Sequence, residues 1–269
     1  MTKVIGQTKL MSIIDSYSTQ TLPKALMLVG PAGCGKHTIS KYVSEKFNLE
    51  YVEIDESISS ADIEDFLYST INTLYVIDLT KFSEKQQNQF LKILEDGSST
   101  TYFMLTAGSE AGVLNTILNR CIKYTFEPYT KHEVEQITGT AVNEKAFTIF
   151  KTPGKLLNMT DSSFNSIIEL ADKLVKNIHL ANYANTLSIS TKINYKDLYN
   201  KVDFNLFFDT VEYLALEDFK NNSTQQSFII FKITNQFKQY ATQSSLIKET
   251  LMLNYLTTLW EAVHDTSRA

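Results

Sequence analysis

The stretch from Ala25 to Ser40, ALMLVGPAGCGKHTIS, limits what this chain can fold into more than any other part of it. Leu26–Val29 is a short apolar run with the character of a buried strand, and from Ile39 onward the residues take helical spacing. Between them stands Gly30-Pro31-Ala32-Gly33-Cys34-Gly35-Lys36, which has the glycine and lysine spacing of a phosphate-binding loop. Glycines let successive backbone N–H groups turn toward one point, a helix N-terminus adds positive potential, and Lys36 supplies a mobile charge. The expectation is a cradle for a polyphosphate built from Gly30, Pro31, Ala32, Gly33, Cys34, Gly35, Lys36, His37 and Thr38. The plain alternative is a Gly-rich turn joining strand to helix, with Lys36 solvated.

One position departs from the pattern. A Ser or Thr is expected directly after the lysine, where its hydroxyl holds magnesium; here the residue is His37, with Thr38 one place later. Imidazole is a poor ligand for a hard cation, so magnesium binding is expected to be weaker or differently arranged.

Around the loop, strand-like and helix-like segments alternate. Leu10, Met11, Ile13 and Ile14 suggest a helix before the first strand, and Thr38–Phe47 one after the loop. Tyr51–Ile54 reads as a second strand. Ser59 with Asp62, Ser83 with Gln86, and Thr130 with Glu133 carry the capping signature of helix starts. Thr73–Asp78, Thr101–Thr106 and Ile122–Phe126 read as further strands, and Val113–Leu118 as a short helix. Such alternation implies an α/β domain with a parallel, doubly wound sheet. Asp78 ends its strand at the carboxyl edge, beside the loop strand, where it is the candidate metal residue; the plain alternative is a turn cap.

Pro153-Gly154 is expected to break the chain, with another helix beginning near Lys155. From Phe164 onward the period is almost wholly helical. Ile167, Ile168, Ala171, Leu174, Val175 and Ile178 trace one apolar face, and Leu251, Tyr255, Leu259 and Trp260 another. Asn221–Ser227 looks like a loop between helices. These stripes are core, or a face toward other subunits.

The 269 residues, 43% hydrophobic, suffice for two or three compact units. A net charge of -5 argues against an autonomous basic surface for nucleic acid, so any contact with DNA is expected to run through partners. The two cysteines, Cys34 and Cys121, supply neither a disulfide framework nor a four-ligand zinc site. No charged-then-apolar leader and no apolar run of about 18 residues or more is evident, so a soluble, cytoplasmic chain without membrane contact is expected.

Several of these segments together resemble the AAA+ clamp-loader subunits of replication, the delta-prime and gamma type of bacterial DNA polymerase III. The likeness covers roughly residues 1–160. VIGQTKL resembles the segment flanking the adenine pocket, which implies Val4 and Ile5 against the base. LPKALMLVGPAGCGK resembles the strand and phosphate loop, ADIEDF the helix after the second strand, and NQFLKILED the helix after the acidic strand. VLNTILNRC, Val113–Cys121, resembles the family segment with a Ser-Arg-Cys triplet whose arginine reaches the neighbouring subunit's ATP. Here Asn119-Arg120-Cys121 keeps the arginine, and a guanidinium facing a γ-phosphate stabilises charge that grows during transfer. A surface ion pair is the alternative for Arg120. TPGKLLNM resembles the lid helix with a nucleotide-sensing basic residue, which falls on Lys155; a simple helix N-terminal lysine is equally open.

The resemblance implies an AAA+ nucleotide-binding domain over 1–128, a helical lid over 129–163 and an all-α collar over 164–269. It also implies ATP or ADP with Mg2+ as ligands; His37 departs from the family pattern, so the metal is expected to be weak or absent, and the zinc module that bacterial members often insert is not expected, since no cysteine lies between Cys34 and Cys121. Implied partners are other clamp-loader subunits, the sliding clamp and, through the assembly, primer-template DNA. Hydrolysing relatives carry a Glu after the strand Asp, whereas this chain has Leu79 and Thr80, and an alkyl group cannot orient water. The polar sensor expected after the fourth strand has no firm match in Thr106-Ala107-Gly108-Ser109. A non-motor, delta-prime-like subunit in a hetero-oligomer is the expectation. An active gamma-like ATPase using Glu53 or Thr80, and a small-molecule P-loop kinase, are the alternatives.

Overall fold

The computed structural model describes residues 2–157, 159–178, 204–241 and 248–265. Within the expected collar, residues 179–203, 242–247 and 266–269 lie outside the described residues, as does Asn158 of the lid motif. Five strands, β1 (Ala25–Val29), β2 (Glu50–Ile54), β3 (Thr73–Asp78), β4 (Thr101–Ala107) and β5 (Ile122–Thr125), form one parallel sheet in the order β2-β3-β4-β1-β5. β1 is buried along its whole length, with a strand on each side, which is why it reads as an unbroken apolar run.

Alternate strand residues feed two cores, as the period of two requires. Leu26, Leu28, Val76 and Met104 meet α1 (Thr8–Ser16) and α2 (Lys36–Phe47) through Ile14, Ile39 and Val43. Met27, Val29, Ile77 and Leu105 meet α3 (Ser60–Asp65), α4 (Glu84–Asp96) and α5 (Asn115–Leu118) through Ile63, Phe90 and Ile117. Helices on both faces of a parallel sheet are the α/β architecture that the strand and helix alternation implies.

The chain divides into two compact units: Met1–Val142 with Lys151–Leu157, and Asn143–Phe150 with Asn158–Ala269. α6 (Lys131–Thr138) and α8 (Pro153–Leu156) belong to the first. The second contains α7 (Glu144–Phe150), α9 (Asp161–Asn177), α10 (Phe204–Asn222), α11 (Gln225–Ala241) and α12 (Lys248–Asp265). There α10 packs against α7, α9 and α11, and α11 against α12. Ala171, Leu174, Val175 and Ile178 from the α9 stripe share one core with Leu251, Tyr255 and Leu259 of α12. The Tyr255 hydroxyl meets Thr234 Oγ1 at 2.8 Å inside it.

Local expectations shift at four places. β4 stands between β3 and β1, so the Asp78 strand is not beside the loop strand. α2 starts at Lys36 rather than Thr38, because Gly35 ends the loop in a left-handed conformation and hands the chain straight to the helix. The break expected at Pro153-Gly154 falls just before it, at Lys151 and Thr152 between α7 and α8, and Pro153 takes the first position of α8, where its fixed φ suits a helix start. α10 runs through Asn222 and α11 begins at Gln225, so the polar Asn221–Ser227 stretch is mostly helix ends. Thr224 caps α11, its Oγ1 accepting from Ser227 N–H at 3.3 Å.

Candidate phosphate-loop site

The loop leaves β1 at the carboxyl edge of the sheet. Gly33 and Gly35 hold φ values of 79° and 99°, a region that side chains disfavour. The first bond of α2 runs from Ile39 N–H to Gly35 C=O at 3.0 Å. The N–H groups of Lys36, His37 and Thr38 therefore precede the helical ladder and remain donors at a positive helix end. Lys36 Nζ donates to the carbonyls of Gly30 at 2.6 Å and Pro31 at 3.1 Å. Both acceptors are neutral, so its charge is not cancelled, and a phosphate oxygen would be a stronger, charge-assisted acceptor.

Three contacts from distant parts of the sequence fix the loop's direction. Thr152 Oγ1 donates to Ala32 C=O at 3.0 Å, Gly154 N–H to Gly33 C=O at 2.8 Å, and Tyr129 OH to Cys34 C=O at 2.8 Å. A trans peptide points its N–H opposite to its C=O, so these bonds also set the N–H directions of Gly33, Cys34 and Gly35. Burial pushes the Tyr129 phenol up to about 12. Cys34 packs in the core beneath α2, and burial raises its thiol above the ordinary range, so its part is packing.

A cavity of about 570 Å³ opens over the loop. Gly33, Cys34, Gly35, Lys36, His37 and Thr38 line one side, and Val4 and Ile5 another. Tyr129, Ile137 of α6, and Pro153, Gly154 and Leu157 complete its apolar wall. Gln7 holds the Val4–Ile5 segment in place: its amide donates to Glu127 C=O at 2.8 Å and accepts from Glu127 N–H at 2.9 Å. Two such bonds contribute about 1–3 kcal/mol together. Gly30, Pro31 and Ala32 form the base of the loop and do not line the cavity, nor do Asp78, Arg120 and Lys155.

The residues suit a polyphosphate and an apolar ring, but not a divalent cation in its usual place. His37 Nδ1 lies 3.3 Å from Glu53 Oε1 on β2. Glu53 also accepts from the Tyr51 hydroxyl at 2.7 Å, and that bond, with His37 and Lys41 adding to it against burial, holds its carboxyl below the usual range. Asp78 Oδ1 takes both the Thr80 hydroxyl at 2.7 Å and the Thr80 N–H at 3.2 Å, which is the turn-cap role. Among the described residues, no group of three or more His, Cys, Asp and Glu is placed to hold a metal ion.

Thr106 opens the Thr106–Ser109 stretch, in which no firm match for the polar sensor was evident. It pairs with Asp78 on β3 and with Leu28 on β1, on the sheet face that carries α2. Its hydroxyl is the only buried side-chain polar atom without a hydrogen-bond partner among the described residues. A threonine at the end of an apolar strand was the one available signal.

Leu79 is 1% exposed and packs into the core under α4. Arg120 follows α5 at the surface. Its Nε donates to Glu95 Oε1 at 2.6 Å, its Nη2 reaches the same oxygen, and its Nη1 donates to Thr116 C=O at 2.7 Å. The buried amide of Gln87 anchors this region. It donates to Phe82 C=O at 3.2 Å and Gly112 C=O at 3.0 Å, and accepts from Leu114 N–H at 3.1 Å, tying α4 to the start of α5. Lys155 is half-buried on α8, whose backbone abuts Gly33. No described helix is long and apolar enough to cross a membrane.

The sequence model for the family described as DNA polymerase III, delta subunit, matches residues 62–130. Replication-associated recombination protein A of Haemophilus influenzae is 27% identical over 130 residues, 45% of this chain and 29% of that protein. ATPase WRNIP1 of Dictyostelium discoideum is 23% identical over 165 residues, 58% of this chain and 18% of its own. The chain thus spans less than a third of the length of these relatives. Among solved structures, a DNA polymerase III gamma subunit-related protein from Thermotoga maritima superposes with a TM-score of 0.50 at 13% identity, covering 95% of this chain and 99% of that one. The Thermotoga maritima RuvB Holliday junction branch migration motor gives a TM-score of 0.50 at 11% identity, over 76% of this chain and 87% of its own. Both are likenesses of fold. The delta-subunit match falls across β3, α4, β4 and the segment that carries Arg120, so over that stretch the chain is similar to clamp-loader subunits, and its α/β fold is that of the AAA+ structures it superposes on.

Proposed function

We propose that this chain is a delta-prime-like clamp-loader subunit that holds an adenine nucleotide with little turnover of its own and offers Arg120 to the nucleotide of a neighbouring subunit. The base lies against Val4 and Ile5 and the phosphates lie on the loop from Gly30 to Thr38. Thr106, with its unpartnered hydroxyl, is the polar sensor, and Lys155 is the basic residue of the lid. Residues 164–269 act as the collar through which other subunits are held. The sliding clamp and primer-template DNA are reached through that assembly.

The observation that carries this reading is the cavity, which gathers Val4–Ile5, the phosphate loop and the α8 segment around one space. Low turnover follows from Leu79: at the position of the water-orienting carboxylate the chain has an alkyl group directed into its core. Arg120 sits away from its own chain's cavity, which suits action on a neighbour. Its pair with Glu95 is partly exposed, and such pairs are worth roughly 0–1 kcal/mol, so a phosphate can displace the carboxylate. In a reconstituted loader, Arg120→Ala should lower DNA-stimulated ATP hydrolysis by at least ~10-fold. Unchanged turnover would remove the role in trans.

A second reading, an ATPase in its own right, draws support from the relative named ATPase WRNIP1. Rapid hydrolysis by the purified chain, lost on Lys36→Ala, would favour it.

A further inference from the structure

The position after the loop lysine ordinarily supplies a hydroxyl to magnesium. In this chain it is His37, and the imidazole is directed to a carboxylate: Nδ1 stands 3.3 Å from Glu53 Oε1. Glu53 is itself held by the Tyr51 hydroxyl at 2.7 Å, and Lys41, one turn along α2, adds its charge nearby. The second usual contributor, Asp78, has Oδ1 engaged by both the hydroxyl and the N–H of Thr80. Each usual contributor therefore already has a partner within the chain, His37 in Glu53 and Asp78 in Thr80 through Oδ1.

A second observation is independent of this pair. Lys3 and Lys36 line the cavity over the loop, and no carboxylate lines it among the described residues. This occurs in a chain whose net charge is -5, so the cationic lining is local rather than a reflection of composition. The first-turn N–H groups of α2 add positive potential at the same spot. A phosphate chain needs countercharge, and the side chains supply it where a metal ordinarily would.

We propose that this loop binds the phosphates of a nucleoside di- or triphosphate without a divalent cation, the His37–Glu53 pair standing where the metal's ligand would be. The inference rests on the nucleotide reading given above and deepens it. His37 is 55% exposed and Glu53 53% exposed at the side chain, so both can be replaced without opening a core.

The test is isothermal titration of the full chain with ATP and with ADP, once in EDTA and once in millimolar Mg2+. Affinity within about threefold between the two conditions is expected. His37→Thr, which restores the hydroxyl, should make binding at least tenfold tighter in Mg2+ than in EDTA, and Glu53→Gln should shift the balance the same way by a smaller factor. A tenfold or greater loss in EDTA for the unaltered chain overturns the proposal while leaving nucleotide binding intact. Metal-independent binding by His37→Thr overturns the role given to His37. No binding in either condition overturns both this inference and the nucleotide reading.

Discussion

Gly154→Ala tests the packing on which the cavity depends. An added Cβ would stand 2.7 Å from Gly33 Cα and 2.9 Å from Gly33 O, well inside the ~3.5 Å at which carbon atoms rest. Both atoms are backbone of the phosphate loop and cannot swing aside. Helix propensity acts in the other direction, since Ala in place of Gly within α8 favours the helix by roughly 0.5–1 kcal/mol. Overpacking costs ~1–3 kcal/mol, and separating the segments also gives up the Gly154 N–H to Gly33 C=O bond, another ~0.5–1.5 kcal/mol. The clash wins by about 0.5–4 kcal/mol, which corresponds to a drop of roughly 2–12 °C in the melting temperature of a unit this size. Gly112→Ala is the matched control, because nothing lies within 4 Å of its added Cβ, and it should stay within ~0.5 kcal/mol of the unaltered chain. Thermal melts of the two variants with and without ATP give the comparison. A Gly154→Ala chain as stable as Gly112→Ala, or more stable, would refute the claimed contact.

Leu79→Glu should not create a hydrolase; a carboxylate forced into the core beneath α4 should cost ~3–5 kcal/mol by denaturant unfolding, and a stable, faster-hydrolysing variant would contradict the placement. Gln87→Leu should cost ~2–4 kcal/mol by leaving Leu114 N–H and the Gly112 and Phe82 carbonyls unpaired, read in the same assay. For Tyr129, burial raises the folded phenol to about 12 from an unfolded value near ~10. Its stabilising contribution is therefore complete below about pH 10 and is lost as pH rises through about 12. The difference in phenolate absorbance between the unaltered chain and Tyr129→Phe should show a midpoint near the upper value; a midpoint near ~10 would show the ring to be exposed.

Much of the sheet was readable because its signals are local. The capping pairs Ser59–Asp62, Ser83–Gln86 and Thr130–Glu133 all form reciprocal boxes at helix starts, and Thr73–Asp78 is a strand over the range its composition suggests. The insertion of β4 between β3 and β1 was not readable, since parallel strands are paired by crossovers that leave no mark in either strand. Polar residues at Asn221–Ser227 mimicked a loop because exposed helix ends and turns draw on the same residue types. At the site, the glycines and lysine announced the loop, and the apolar pair Val4–Ile5 was placed by resemblance alone. The supporting contacts of Gln7, Tyr129, Thr152 and Gly154 were not legible because each acts across about 95–120 residues, a separation over which no spacing rule operates. Thr106 carried no signal beyond being polar in an apolar strand; only burial without a partner marks it.

A side-by-side titration of a fluorescent ATP analogue into the intact chain and into Lys36→Ala addresses the account at its centre. Saturable binding by the intact chain, weakened at least tenfold by loss of the Lys36 ammonium, is the predicted result. Equal affinity in the two proteins, or none in either, would mean that the loop over which this cavity opens has kept its shape and not its ligand.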